Sequence, residues 1–120
     1  MRPVAAPQQT LGTESAAALA SRRDGEMTAM RALVPPGVVT HWHSHPCGQL
    51  LHVLDGVGLA QRQGGEVVEL RRGDSVWFAP DERHWHGAAP QEPFSYISIQ
   101  PVKDGTAAHW FEPVRPETFR

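Results

Sequence analysis

The sequence has little cysteine, little net charge and no long apolar run, and each absence narrows the kinds of protein it encodes. A single cysteine, Cys47, excludes an intrachain disulfide and suits a reducing compartment such as the cytoplasm. No stretch approaches the roughly 18 apolar residues of a membrane span, and we read no signal peptide at the N-terminus. A net charge of −2 gives no electrostatic reason to expect nucleic acid or a membrane as a partner.

Glycine, proline and histidine are abundant instead. The 120 residues include 11 Gly, 11 Pro and seven His, and 40% of the residues are hydrophobic. A chain of this length forms one domain, and such frequent turn residues indicate an all-β fold. Residues 1–26 show little periodicity beyond a helical turn expected at Glu14–Arg22. We interpret them as an N-terminal arm that precedes a β-barrel domain at 27–120.

From residue 27 onward, short apolar or alternating segments are separated by turn residues. This pattern is typical of a β-sandwich or barrel. The pairs Asp55-Gly56 and Gly64-Gly65 predict tight hairpins. The predicted strands are Met27–Val34, Val38–His45, Gln49–Leu54, Val57–Arg62, Glu66–Leu70, Ser75–Ala79, His84–Ala88, Phe94–Gln100 and Ala107–Phe111.

Six of the seven histidines fall in two short stretches of sequence: His41, His43, His45 and His52, then His84 and His86. Because side chains alternate faces along a strand, His41, His43 and His45 are predicted to share one face. His84 and His86 are predicted to share a face of another strand. Gln49 returns to the same centre across the turn at 46–48. Several imidazoles on one buried face need many polar partners, whereas neutral imidazole is the commonest metal ligand. The pattern therefore predicts a metal site.

Three residues outside the predicted metal site are given ordinary structural roles. His52 and His109, which belong to neither His-x-His pattern, are interpreted as satisfied core histidines. His52 nevertheless has the parity of Leu50 and Leu54 and is expected to face outward. Cys47 is interpreted as a small residue of the ligand loop.

The spacing of these residues resembles the two motifs of the cupin family. The first motif is Gly37-x5-His43-x-His45-x3-Gln49-x6-Gly56, and the second is Gly73-Asp74-x5-Pro80-x3-His84. More narrowly, the segments 36–49 and 76–88 resemble a bacterial subgroup of small dimeric cupins that includes manganese-dependent hydroxynitrile lyases. The resemblance implies an all-β double-stranded β-helix, or jelly-roll barrel, that forms a homodimer.

The resemblance also implies one divalent metal ion, with manganese favoured and Fe, Ni, Co and Zn left open. The implied ligands are His43, His45, Gln49 and His84. It places Tyr96 and Gln100 at the barrel mouth, within reach of a small-molecule substrate, and Met30 and Ala32 on the opposite wall. The candidate catalytic residues are His86, Tyr96, His41 and Gln100, with His86 as the first candidate proton acceptor.

Two departures from the resembled families bear on function. Gln49 stands where most cupins carry Glu, although the hydroxynitrile lyase-like subgroup also carries Gln, and Tyr96 stands where the lyases carry His. Three imidazoles and an amide leave the charge of a bound dication undiminished, which favours Lewis-acid chemistry. We therefore expect a hydroxynitrile lyase-like enzyme. The alternatives are an Fe- or Mn-dependent dioxygenase of a small aromatic or keto compound, and a non-enzymatic small-molecule-binding module.

Overall fold

The structure, a computed structural model, describes residues 2–4 and 23–119, and these are organised almost entirely as β-strands. The strands are β1 (Arg2–Val4), β2 (Met27–Val34), β3 (Val38–Thr40), β4 (His43–Ser44), β5 (Gln49–Arg62), β6 (Val68–Arg71), β7 (Ser75–Phe78), β8 (His84–Ala88), β9 (Phe94–Pro101) and β10 (His109–Trp110). A single 3-10 turn at Pro116–Thr118 completes the described elements. Within the described ranges no helix is long and apolar enough to cross a membrane.

Most of the predicted arm, including the helical turn at Glu14–Arg22, lies outside the described residues. The part that is described contains β1, which pairs in parallel with β3. The division between an arm at 1–26 and a domain at 27–120 stays a prediction.

β5 is the longest strand, and it belongs to both halves of the barrel. Its first half pairs with β7 and β9, and its second half pairs with β6 and β8. The register shifts between Val53 and Asp55, and Gly56 follows with a φ of +80°, which glycine adopts with little strain. The hairpin predicted at Asp55-Gly56 is therefore wrong. Because both residues stay paired with β9, the chain bends there and does not reverse.

The other turns and strands agree more closely with the sequence. The hairpin predicted at Gly64-Gly65 is confirmed, since it joins β5 to its antiparallel partner β6. The single strand predicted at Val38–His45 is divided into β3 and β4. The backbone of Trp42, between them, exchanges hydrogen bonds with Phe111 and Glu112 instead of with a neighbouring β-strand. The C-terminal segment thus interrupts the strand close to the predicted ligands.

Inward and outward side chains alternate clearly along β9. Phe94, Tyr96, Ser98 and Gln100 are buried, while the residues between them are half-buried. The inward direction that the resemblance implies for Tyr96 and Gln100 is therefore confirmed. The main core between the sheets is formed by Ala32, Val34, Leu51, Val53, Ala60, Leu70, Phe78, Ala88, Phe94 and Tyr96.

β8 is buried on both faces, which fixes it firmly in the barrel. Trp85 packs on one face against Val39, Val114 and Phe119, and donates a hydrogen bond from Nε1 to Gln61. The C-terminal residues therefore cover the face that Trp85 presents. The opposite face of β8 carries His84 and His86.

A close approach at Gly87 sets the distance between β8 and β3. A Cβ atom there would lie 2.5 Å from the backbone oxygen of Val38, which cannot move aside without shifting its strand. We expect Gly87→Ala to lower the free energy of unfolding by about 2–3 kcal/mol, measured by urea denaturation.

The matched control is Gly65→Ala, because a Cβ atom at this glycine meets only ordinary contacts, beginning at 3.4 Å. Its effect should be about 0.5 kcal/mol or less. Equal stability of the two variants would contradict the close packing of β3 on β8.

Candidate metal centre

Three buried histidine rings meet between β4, the loop after it and β8. His43 lies opposite His84 in the ladder, and their ring centroids are 4.3 Å apart. The ring of His45 lies 5.1 Å from that of His43 and 5.4 Å from that of His84. One ring nitrogen from each residue lies within 4.8 Å of the others, so the three could hold one metal ion.

Backbone carbonyl groups fix the protonation of all three rings. Nδ1 of His43 donates to the oxygen of His41 at 2.8 Å, Nδ1 of His45 to Ala107 at 2.6 Å, and Nδ1 of His84 to Glu82 at 2.9 Å. A carbonyl oxygen only accepts hydrogen bonds, so each Nδ1 carries the proton. Each neutral ring is therefore left with a free lone pair on Nε2, the arrangement common in metal-ligating histidines.

Burial keeps these rings neutral. It lowers the pKa of His45 to about 4, and it lowers the pKa of His84 and of His43 well below the usual histidine value. The neighbouring imidazoles lower the values for His43 and His84 further. At neutral pH no proton has to leave before the Nε2 atoms can bind a cation.

Gln49 adds an oxygen to the same centre. It is buried at the start of β5, and its Oε1 lies 3.0 Å from Nε2 of His84. Its Nε2 donates instead to Oε1 of Gln100 at 3.1 Å. With His84 neutral and protonated on Nδ1, both atoms of the short contact between Gln49 and His84 are acceptors.

The donor set therefore fits a divalent cation. Two acceptors 3.0 Å apart with no hydrogen between them repel each other, and a cation bound to both would remove that repulsion. Nε2 of His45 is also buried without a hydrogen-bond partner among the described residues, and such an orphaned group is rare unless an ion or water satisfies it. The predicted ligand Gln49 thus lies with the three histidines around one centre.

The candidate catalytic residues His86 and Tyr96 lie beside the three histidines. The ring of His86 is 5.2 Å from that of His43 and 5.1 Å from that of Tyr96. Both ring nitrogens of His86 are buried without a hydrogen-bond partner in the described part of the chain. Burial lowers the pKa of His86 and raises that of Tyr96. At neutral pH His86 is therefore a neutral ring with one unprotonated nitrogen, and Tyr96 keeps its hydroxyl hydrogen and can donate a hydrogen bond.

Other histidines are placed differently from the sequence-based expectation. His41 is half-buried, and it contacts His43 through its backbone oxygen. His52 and His109 are exposed, so the interpretation of both as core residues is wrong, whereas the outward parity of His52 is confirmed. The Nδ1 atom of His52 lies 2.7 Å from the hydroxyl of Ser75. Cys47 is half-buried in the ligand loop.

Sequence reasoning missed several groups that support the centre. The carbonyl oxygen of Ala107 orients His45, and the ring of Phe78 stacks on His84 with centroids 3.7 Å apart. Trp110 packs against His43 at 4.7 Å. Thr28 accepts a hydrogen bond from Gln100. Its spacing of two residues from Met30 on β2 could have indicated that both side chains lie on the same face of the strand.

Comparison with known proteins agrees with this geometry. Residues 30–100 match the cupin domain family. A (R)-mandelonitrile lyase from Granulicella tundricola is 52% identical over 85 residues, which are 71% of this chain and 65% of that protein. The chain therefore spans just under two thirds of the length of this relative.

Solved structures extend the comparison to the fold. A cupin-like protein from Thermotoga maritima is 39% identical with a TM-score of 0.74, over 78% of this chain and 71% of that one. A DMSP lyase from Ruegeria pomeroyi has a TM-score of 0.63 at 21% identity, over 70% of this chain and 42% of that one, and shares the fold alone. The chain belongs to the cupin family, and its barrel is the cupin double-stranded β-helix.

Proposed function

We propose that this chain is a metal-dependent lyase that cleaves a small α-hydroxynitrile into an aldehyde and hydrogen cyanide. The observation that carries the proposal is the convergence of four uncharged donors: Nε2 of His43, His45 and His84, and Oε1 of Gln49. The 52% identity to a (R)-mandelonitrile lyase supports the choice of substrate class.

The charge of the donor set defines the chemistry proposed for the site. No donor is anionic, so a bound dication retains its full positive charge. A manganese ion held there would supply Lewis-acid polarisation of the substrate oxygen. We propose manganese because the resembled subgroup of lyases uses it; the mixed nitrogen and oxygen donor set by itself also suits Fe, Ni, Co and Zn.

His86 is proposed to move the proton. Its unpartnered ring nitrogens and lowered pKa make it a neutral base close to the metal ligands. It accepts the hydroxyl proton of the substrate, the carbon–carbon bond to the nitrile breaks, and the electron pair leaves with cyanide. The proton then passes from His86 to cyanide, so the products are an aldehyde and hydrogen cyanide.

Tyr96 and the wall beside it are proposed to hold the substrate. The phenol stays protonated at neutral pH because burial raises its pKa, so it serves as a hydrogen-bond donor and not as a base. In the ladder between β2 and β9, Ala32 pairs with Tyr96 and Met30 pairs with Ser98. The expectation that Met30 and Ala32 form the wall opposite Tyr96 is therefore wrong, because β2 and β9 are neighbouring strands of one sheet. These small or flexible apolar side chains suit an aryl group next to a polar reacting centre.

Two copies of the chain are proposed to pair through the outer face of the sheet formed by β2, β9, β5 and β7. On this face Leu33 is 64% exposed, Trp77 is 50% exposed and Leu50 is 40% exposed. Leu50 lies opposite both Trp77 and Ile99 in the ladder, so these three side chains are contiguous across β7, β5 and β9. Leu33 lies further along the same face, opposite Ser95. Contiguous exposed apolar surface of this kind marks protein interfaces, and the resembled cupins are dimers.

Activity is the first test of the proposed function. The manganese-loaded protein should convert (R)-mandelonitrile into benzaldehyde and cyanide without oxygen, lose this activity with EDTA, and regain it with Mn²⁺. His86→Phe should lower kcat by about 10²–10⁴-fold while the protein still binds Mn²⁺.

His109→Phe is the matched control for this variant, because His109 is exposed. Replacing His86 with an apolar ring also removes two unsatisfied buried nitrogens, so the fold should be preserved. A wild-type rate for His86→Phe, or turnover that requires oxygen, would contradict the proposal.

Metal binding is tested by thermal unfolding with and without Mn²⁺. At a ligand concentration about 100 times its Kd, binding should stabilise the wild type by about 2.7 kcal/mol. His84→Ala should abolish this metal-dependent shift because one of the four donors is lost. His52→Ala, an exposed histidine, should retain the full shift, and an undiminished shift in His84→Ala would refute the ligand assignment.

The proposed dimer is tested by light scattering after size exclusion. Trp77→Glu should convert a dimer into a monomer because it places a charge in the apolar interface. Val68→Glu is the control, since Val68 is 49% exposed on β6, away from this face. A monomeric wild type, or a dimeric Trp77→Glu variant, would count against the interface.

A further inference from the structure

A chain of hydrogen bonds, partly buried at Thr28 and buried from Gln100 onward, runs from β2 to the candidate metal centre. Nε2 of Gln100 donates to Oγ1 of Thr28 at 2.6 Å and lies 3.4 Å from the backbone oxygen of Thr28. Oγ1 of Thr28 donates to the backbone oxygen of Gln100 at 3.2 Å. Oε1 of Gln100 then accepts from Nε2 of Gln49 at 3.1 Å, and Oε1 of Gln49 faces His84.

The direction of this chain follows from the backbone carbonyl groups, which only accept hydrogen bonds, and from the threonine hydroxyl, which has one hydrogen to donate. The threonine hydroxyl has one hydrogen, and the backbone oxygen of Gln100 takes it. Towards Gln100 the Thr28 hydroxyl and carbonyl can therefore only accept. This places the amide nitrogen of Gln100 towards Thr28 and its oxygen towards Gln49.

The orientation of the Gln49 amide follows from that of Gln100. Because Gln100 presents an acceptor, Gln49 must direct its amide nitrogen to Gln100 and its oxygen to the histidines. The two ends of a glutamine amide have nearly the same shape, so packing alone does not select between them. The hydrogen-bond network selects the end that can bind a cation.

We propose that Thr28 and Gln100 are positioning residues that orient the amide of Gln49 for metal binding. This inference rests on the proposed metal site, and it assigns a role to Gln100 that differs from contact with the substrate. Without the chain, the amide of Gln49 can turn its nitrogen towards Nε2 of His84 and donate a hydrogen bond to it. That hydrogen bond occupies a ligand atom and competes with the metal.

The first test measures the Kd for Mn²⁺ from the EPR signal of the free ion. Gln100→Leu removes the amide and leaves an apolar side chain of similar size. It should weaken binding by about 3–10-fold, the equivalent of one hydrogen bond. Thr28→Val should weaken binding in the same direction, and Thr28→Ser, which retains the hydroxyl, should restore it to within about twofold.

A double-mutant cycle separates orientation from packing. A carboxylate has an acceptor at both ends, so in a Gln49→Glu background the direction of the chain no longer matters. Gln100→Leu should then leave the Kd within about twofold or improve it. The same loss in both backgrounds would overturn the inference, because it would show that Gln100 acts only through packing.

The Gln49→Ala variant distinguishes failure of the inference from failure of the site. Unchanged Mn²⁺ affinity in Gln49→Ala, or no binding by the wild type, would overturn both the proposed ligand set and the positioning role. Weaker binding by Gln49→Ala combined with unchanged binding by Gln100→Leu and Thr28→Val would overturn the positioning role alone.

Discussion

Each of the three clustered histidines donates its Nδ1 hydrogen to a backbone carbonyl group, and the rest of the centre depends on this. The three hydrogen bonds, to His41, Ala107 and Glu82, leave a lone pair on every Nε2. If one ring adopted the other tautomer, it would direct a hydrogen at the centre and exclude a cation. The three carbonyl groups belong to three separate loops. The preference of the centre for a cation therefore depends on the fold of the whole barrel and not on a single strand.

The bend in β5 makes a compact site possible in a small barrel. One continuous strand supplies Gln49 at its beginning and pairs with β8, the strand of His84 and His86, near its end. The bulge between Val53 and Asp55 lets the two halves join different sheets without breaking the chain. Because the halves are covalently continuous, movement of one sheet relative to the other would disturb the position of Gln49 directly.

Much of the site could be predicted from the sequence, because the parity of strand residues and the spacing of His43, His45, Gln49 and His84 both carry information. The inward placement of Tyr96 and Gln100 on β9 came from the family resemblance, because parity alone left open whether the polar face of the strand lay inside or outside. The bend at Asp55-Gly56 was not, because a local hairpin signal was overridden by continued pairing with β9. The carbonyl oxygen of Ala107 was also beyond prediction, since any residue has one and only the folded chain places it near His45. Thr28 resembles any other threonine on a strand until its partner Gln100 is known.

The hydrogen bond between His45 and Ala107 joins residues 62 positions apart in the chain. All four proposed ligands precede Ala107 in the order of synthesis, so a growing polypeptide carries the ligands before it carries the group that orients one of them. A metal ion captured at that stage would meet imidazoles free to adopt either tautomer, and the strongest-binding metal of the surroundings would be favoured. The finished barrel instead offers a fixed set of lone pairs. If the centre holds a metal as proposed, discrimination between metals would belong to the folded protein, and the timing of metal loading relative to chain completion would affect which ion is bound.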